Sequence, residues 1–268
     1  MDETTYMQSR IWLEEPEPND AFACRAAYCH GYDVYGEMLG SAGWVDMLYL
    51  LFRGEAPSRA HAAVLEVLAV ALANPGPRDA SVHAAMCAGV GGAPAAAALT
   101  AALAVGAGGA GGAREVLRCM QSWASCGTVL EAWQLHFAEQ AGPGDGPPEA
   151  WPAAEHPAGF APLGVDTTTP VQQVLARLAA FDAASRCAWL RANLRSLERA
   201  SGHPLSMVGV AAAAFADLGL SPDQGEMLFL LLRLPGAAAH ALEQRASGHK
   251  QFPFYALELD AEAAGGER

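Results

Sequence analysis

From Ala84 to Ala113 the chain carries no charged side chain. It is mostly alanine and glycine, with Pro94 and only two leucines, Leu99 and Leu103. Alanine favours helix, and the scarcity of β-branched residues disfavours strand. The stretch is weakly apolar for a membrane span. Its small side chains let backbones approach closely, so it reads as a tightly packed buried helix, in a core or at a subunit interface. The same bias runs through the whole chain. Hydrophobic residues make up 52% of 268, enough for a large core in one big domain or in a large and a small one. The expected class is all-α.

The formal net charge is −13 and the pI about 4.9, with Lys250 the sole lysine. This argues against nucleic acid, which needs clustered positive charge, and a polyanionic ligand would need a local basic pocket. Met1-Asp2-Glu3 opens an acidic N-terminus without an apolar leader, so no signal peptide is expected. Six cysteines occur without a CxxC pair. Reduced thiols in a cytoplasmic protein, with no zinc site, are the expectation.

Residues 1–20 read as an extended arm. Helical periodicity begins near Ala21 and is strong from Trp44 to Phe52, with Trp44, Met47, Leu48 and Leu51 on one face. Ser58 is a plausible N-cap for a helix through Leu72, stopped by Asn74-Pro75-Gly76-Pro77. Asp79 or Ser81 caps a helix to Val90, and Pro94 begins another to about Val105. Gly106–Gly112 lacks the spacing of a nucleotide loop and no strand precedes it, so it reads as a turn of close backbone approach. Arg114–Gln140 reads as one or two helices and Ala141–Gly159 as a surface loop. Thr169-Pro170 opens a helical stretch to about Ala200, stopped by Gly202. Leu205–Leu218 and Asp223–Arg245 are two more apolar helices, and a frayed tail begins at Ala261.

Several short motifs recur in a telling order: Tyr28-Cys29-His30-Gly31-Tyr32-Asp33, then Tyr49-Leu50-Leu51-Phe52-Arg53-Gly54-Glu55-Ala56-Pro57. Gly111-Gly112-Ala113-Arg114-Glu115-Val116, Gly159-Phe160 and Arg233-Leu234-Pro235-Gly236 follow. In this order and spacing the chain resembles the citrate synthase superfamily, especially its short citryl-CoA lyase-like branch, over about residues 10–260. The resemblance implies a citrate synthase-like all-α fold. A large helical domain (21–113 and 202–260) would carry a small helical domain (114–201), with residues 1–20 as an arm. It further implies a homodimer with active sites at the domain boundary.

Chemistry of that family needs a carboxylate to take a proton from a thioester methyl. One histidine polarises the thioester carbonyl and a second polarises the carbonyl being attacked. The first histidine sits in L-H-G-G-A-N-E; here the text is Gly109-Ala110-Gly111-Gly112-Ala113-Arg114-Glu115, which places Ala110 there. The second sits in G-F-G-H-R-V-Y-K…D-P-R; here Pro162 replaces it, Leu163 the next arginine, Asp166 the lysine and Val171 a substrate-binding arginine. The aspartate of N-V-D-G corresponds to Val208 in Ser206-Met207-Val208-Gly209, and a further substrate-binding histidine to Pro75. Arg233 matches an arginine that binds the substrate carboxylate; the competing reading is an ion pair or helix-end contact. The C-terminal R-P-R of citrate synthases gives way to Phe252-Pro253-Phe254-Tyr255, closer to the lyase branch.

Losing a cooperating set of catalytic groups leaves little beyond binding. Replacing Arg and Lys by Leu163 and Asp166 turns a phosphate-attracting loop indifferent or repulsive. The first expectation is therefore a catalytically degenerate homologue that keeps a dimeric scaffold and binds a metabolite or protein. Its ligand would be an acyl-CoA or carboxylate metabolite, with no cofactor beyond a coenzyme A thioester as substrate. The alternatives are an acyl-CoA lyase or synthase with relocated residues, and a partner subunit of an active paralogue.

Elsewhere, His30 with Cys29 and Asp33 is weighed as a catalytic pair against a structural histidine, and the structural reading is preferred. His240, seven residues after Arg233, is weighed for a shared pocket. Arg191, Arg195 and Arg199 form a stripe that either holds an anion or is solvated. Trp123, Trp133, Trp151 and Trp189 read as core or loop anchors, and Asp182 and Glu198 as isolated surface charges.

Overall fold

The computed structural model describes residues 7–140, 156–253 and 255. Among them are ten α-helices and one small sheet. The chain divides into two compact units, Met1–Asn74 with Gly106–Arg233, and Pro75–Val105 with Leu234–Arg268.

The N-terminal arm is a β-hairpin rather than a plain extended segment, and residues after Ala21 are strand rather than helix. Strand β1 (Trp12–Glu17) pairs antiparallel with β2 (Asp20–Cys29), which pairs with the two-residue β3 (Tyr32–Asp33). Pro18-Asn19 makes the turn, as both residue types favour. Pro16 lies at a register shift on the edge strand, where its missing N–H costs least. Strand β1 and the first part of β2 are largely exposed, and only the end of β2 buries a face, through Ala27 and Cys29. So short a buried face leaves little period-two alternation in the sequence.

Helix α1 (Trp44–Arg53) buries Val45, Leu48, Tyr49 and Leu50. Trp44 is 72% exposed, so the expected face is rotated by one residue. Ser58 caps α2 (Arg59–Leu72), its side chain accepting from the His61 N–H at 3.1 Å. The expected stretch from Arg114 to Gln140 is two helices, α5 (Ala113–Cys126) and α6 (Leu130–Gln140).

The stretch opened by Thr169-Pro170 is also two helices, α7 (Thr169–Leu178) and α8 (Ser185–Ser201). The break has a cause outside the local sequence. Asp217 carries a carboxylate that is almost fully buried and accepts from the Arg186 N–H at 2.9 Å and the Cys187 N–H at 3.0 Å. A distant side chain thereby supplies the acceptors that a helix start requires. Gly202 ends α8 in the left-handed conformation (φ 74°).

Helix α9 (Met207–Asp217) is the centre of this unit, with Val210 to Phe215 at 0% exposure. A helix apolar all round belongs in a core, and α9 packs chiefly against α5 and α8. Trp123 contacts Trp133 at 4.9 Å and Trp189 at 5.7 Å between ring centroids, both edge-on. These three tryptophans are core anchors; Trp151 lies outside the described residues. Helix α10 (Pro222–Ser247) starts in this unit and runs on through Pro235.

In the second unit, Asp79 caps α3 (Ala80–Val90), and α4 spans Ala95–Gly106. The uncharged run is thus two short helices and a turn, not one buried helix. Ala85, Ala98 and Ala102 are buried, while Ala95, Ala96 and Ala97 are exposed. Gly89 shows why small residues are needed: a Cβ there would stand 3.1 Å from the backbone carbon of Ala241. Val82, Met86 and Ala237 complete this core. Among the described residues no helix is long and apolar enough to cross a membrane.

Candidate functional site

The glycine-rich turn before α5 is held from inside. Gly111 takes φ +69°, and Gly112, the N-cap, is packed so tightly that a Cβ would stand 2.7 Å from the Gly106 carbonyl oxygen. Glu115, in the first turn of α5, is 2% exposed. Its Oε2 accepts the Gly111 N–H, and its Oε1 accepts the Gly159 N–H at 2.9 Å. A carboxylate near a helix N-terminus is favoured by the helix dipole. Here it also joins two loops.

Gly159-Phe160-Ala161 runs antiparallel to Pro204-Leu205-Ser206. The Ala161 N–H donates to the Pro204 carbonyl at 2.8 Å and the Ser206 N–H to the Gly159 carbonyl at 3.0 Å, around a bridge between Phe160 and Leu205. Gly159 has φ +91°, and a Cβ on it would lie 2.7 Å from the Cys119 Sγ and 3.0 Å from the Gly209 Cα. Ser206 caps α9, its Oγ accepting from the Gly209 N–H at 3.4 Å. Arg233 is 8% exposed; its Nη1 donates to the Gly111 carbonyl at 3.0 Å, and its guanidinium lies 4.8 Å over the Phe229 ring.

A connected path of hydrogen bonds therefore runs from Arg233 through Gly111, Glu115 and Gly159 to Ser206. It ties together the segments singled out from the sequence. Ala110 and Pro162 are exposed, each next to a tied residue; Val208 is 4% exposed, two residues beyond Ser206. Leu163 is 84% exposed, and Asp166 pairs with Arg195 at 3.2 Å. Val171 is buried on α7, and Pro75 lies in the second unit.

Glu115 was not singled out by sequence reasoning, although it closes the Gly-Gly-Ala-Arg-Glu motif. Its neighbours were missed as well. The His156 ring, nearly buried, places Nε2 3.6 Å from Glu115 Oε2 and stands edge-on to His203 at 6.2 Å. Arg118, one turn after Glu115, donates from Nη2 to the Gly109 carbonyl at 3.0 Å. The His136 Nε2 lies 2.8 Å from the Ser122 Oγ. Glu115, Arg118, His136, His156 and His203 all line a polar cavity of about 1020 Å³ within the first unit. His156 falls at the end of a Pro- and Gly-rich stretch with no periodicity to mark it.

The other candidates separate. Cys29 is fully buried and burial pushes its thiol up, the opposite of what a nucleophile needs. His30 sits at φ 49° against Gly54, and Asp33 accepts the Gly36 N–H at 2.8 Å. His240 pairs with Glu243 at 2.9 Å along its own helix. Arg191, Arg195 and Arg199 are exposed. Glu198 is not an isolated charge: it accepts from Thr167 Oγ1 and meets Arg195 at 3.3 Å. Asp182 is exposed. Among the described residues no three of His, Cys, Asp and Glu gather as a metal would require.

The ten helices among the described residues define an all-α protein, and its likeness to solved structures gives it a citrate synthase-like fold. The chain is similar to citryl-CoA lyase from Hydrogenobacter thermophilus, with a TM-score of 0.70 and 17% identity over 97% of this chain and 100% of the other. It is similar also to ATP citrate lyase from Methanothrix soehngenii in complex with citrate and coenzyme A (TM-score 0.73, 14% identity). A third likeness is to the D541A mutant of Methanosaeta concilii ATP citrate lyase in complex with (3S)-citryl-CoA (TM-score 0.71, 14% identity). The chain spans 44% of each ATP citrate lyase chain. No protein-family model and no curated protein sequence matches it.

Proposed function

We propose that this protein is a catalytically degenerate relative of citryl-CoA lyase that keeps the scaffold, works as a homodimer in the cytoplasm and binds a metabolite. One observation carries the reading. The segments bearing Ala110, Pro162 and Val208 are tied into one network, yet the three side chains offer no proton donor, no base and no oxyanion partner. An apolar side chain cannot take a proton from a thioester methyl or stabilise an enolate. Arg233 remains the candidate contact for a ligand carboxylate, and coenzyme A thioesters are the candidate ligands that the fold suggests.

Purified protein mixed with citryl-CoA, and separately with acetyl-CoA and oxaloacetate, tests the reading when each thioester is followed by mass spectrometry. No turnover is expected from folded, dimeric protein. Turnover above buffer, lost in Arg233→Ala, would establish an active enzyme with relocated groups instead.

A further inference from the structure

We propose that the polar cavity between α5, α6 and the C-terminal end of α8 is a binding site for an oxyanion-bearing metabolite, a carboxylate or a phosphate, held by Arg118 and His156. The cavity is lined by residues of one compact unit. Its volume of about 1020 Å³ is at the upper end of what metabolite sites occupy.

The polar groups do not balance internally. The Nε of Arg118 is buried and has no hydrogen-bond partner among the described residues, although its Nη2 is fixed by the Gly109 carbonyl. The Nδ1 of His156 is likewise buried and unpartnered among the described residues, while its Nε2 faces Glu115. Buried polar atoms of this kind are rare in folded proteins and call for a ligand, an ion or ordered water. Among the described residues that line the cavity, Glu115 is the one acidic side chain. It already accepts from Gly111 and Gly159, so it does not saturate the guanidinium. A planar guanidinium suits a carboxylate or phosphate with two parallel acceptor oxygens. Gln121 and Ser125 of α5 and Gln134 of α6 also line the cavity and add neutral partners for the rest of a polar ligand.

The inference deepens the reading of a metabolite-binding homologue and rests on it, but the two fail separately. Catalysis is read by thioester turnover, and the cavity by equilibrium binding. Turnover with binding would remove the degenerate reading and keep the site. Absence of both would remove the site and keep the loss of catalysis.

The test titrates the full chain with succinate and with inorganic phosphate by calorimetry, alongside Arg118→Gln, Ser125→Trp and Arg199→Gln. Ser125 is exposed on the cavity wall, so a tryptophan there narrows the cavity without entering the core. Arg199 is an exposed cation outside the cavity lining. Saturable binding of either probe is expected, weakened about ten-fold or more by Arg118→Gln. Ser125→Trp should weaken it too, and Arg199→Gln should leave it unchanged. Succinate alone binding would mark a carboxylate site, and phosphate alone a phosphate site. No saturable binding of either up to ~10 mM, or binding that both cavity variants leave unchanged, overturns the proposal. If Arg118→Gln does not fold, Ser125→Trp decides.

Discussion

Glu115 Oε1 accepts the backbone N–H of Gly159 at 2.9 Å, although the two residues lie 44 positions apart. Together with the bond from the Gly111 N–H, this makes one buried carboxylate the joint between the glycine turn and the strand at Gly159. Removing it takes the acceptor from two backbone donors, of which the Gly159 N–H is buried. Glu115→Ala is expected to lower stability by about 2–4 kcal/mol. Urea unfolding checks this: a shift of the midpoint at unchanged slope is the expected form.

Gly159→Ala should be costly for two independent reasons. The backbone is at φ +91°, and the new methyl would lie 2.7 Å from the Cys119 Sγ. Strain of the first kind alone is of order 1–3 kcal/mol, and overpacking adds about 1–3 kcal/mol. Thermal unfolding should show a lower midpoint than for Gly202→Ala, a C-cap with nothing close to its Cβ position. Equal loss at the two positions would contradict the close approach to Cys119 of α5 and Gly209 of α9.

Asp217 acts on a helix 30 residues before it. Asp217→Ala should cost about 1–2 kcal/mol, the range of a lost N-cap. It should speed amide exchange at Arg186 and Cys187, whose N–H groups it accepts. Unchanged exchange at those two amides would remove Asp217 as the cap of α8.

The helical class was legible because alanine and leucine recur at helical spacing, and the starts at Ser58 and Asp79 were legible because caps are local. The hairpin was not, since its strands are largely exposed and only Ala27 and Cys29, at the end of β2, are buried on one face. The break between α7 and α8 depends on Asp217, which local propensity does not see. At the site, the motif order brought Ala110, Pro162 and Val208 forward. Glu115 and His156 escaped because their meaning lies in contacts between distant segments. Glu198 was misjudged for the same reason: Thr167 reaches it from another loop.

Cys119 and Cys187 are buried, and burial with a neighbouring carboxylate pushes both thiols far above their ordinary 9.0. Maleimide should label the exposed Cys24 and Cys87 first at pH 8 and leave Cys119 and Cys187 intact until unfolding. The sign for stability follows. Above about pH 9 the unfolded chain loses thiol protons that the folded one retains, so stability falls as pH rises past that point. Denaturant titrations at pH 8 and pH 10 measure it, and replacing both cysteines by alanine should reduce the difference.

The most direct test of the proposed loss of catalysis is solvent deuterium exchange into the methyl group of acetyl-CoA, followed by mass spectrometry at stoichiometric protein. It isolates proton abstraction, the step that the proposed reading assigns to the position of Val208, which carries no carboxylate. No exchange above buffer is the predicted result. Exchange that depends on folded protein would contradict the proposed reading and place a working base elsewhere in this chain.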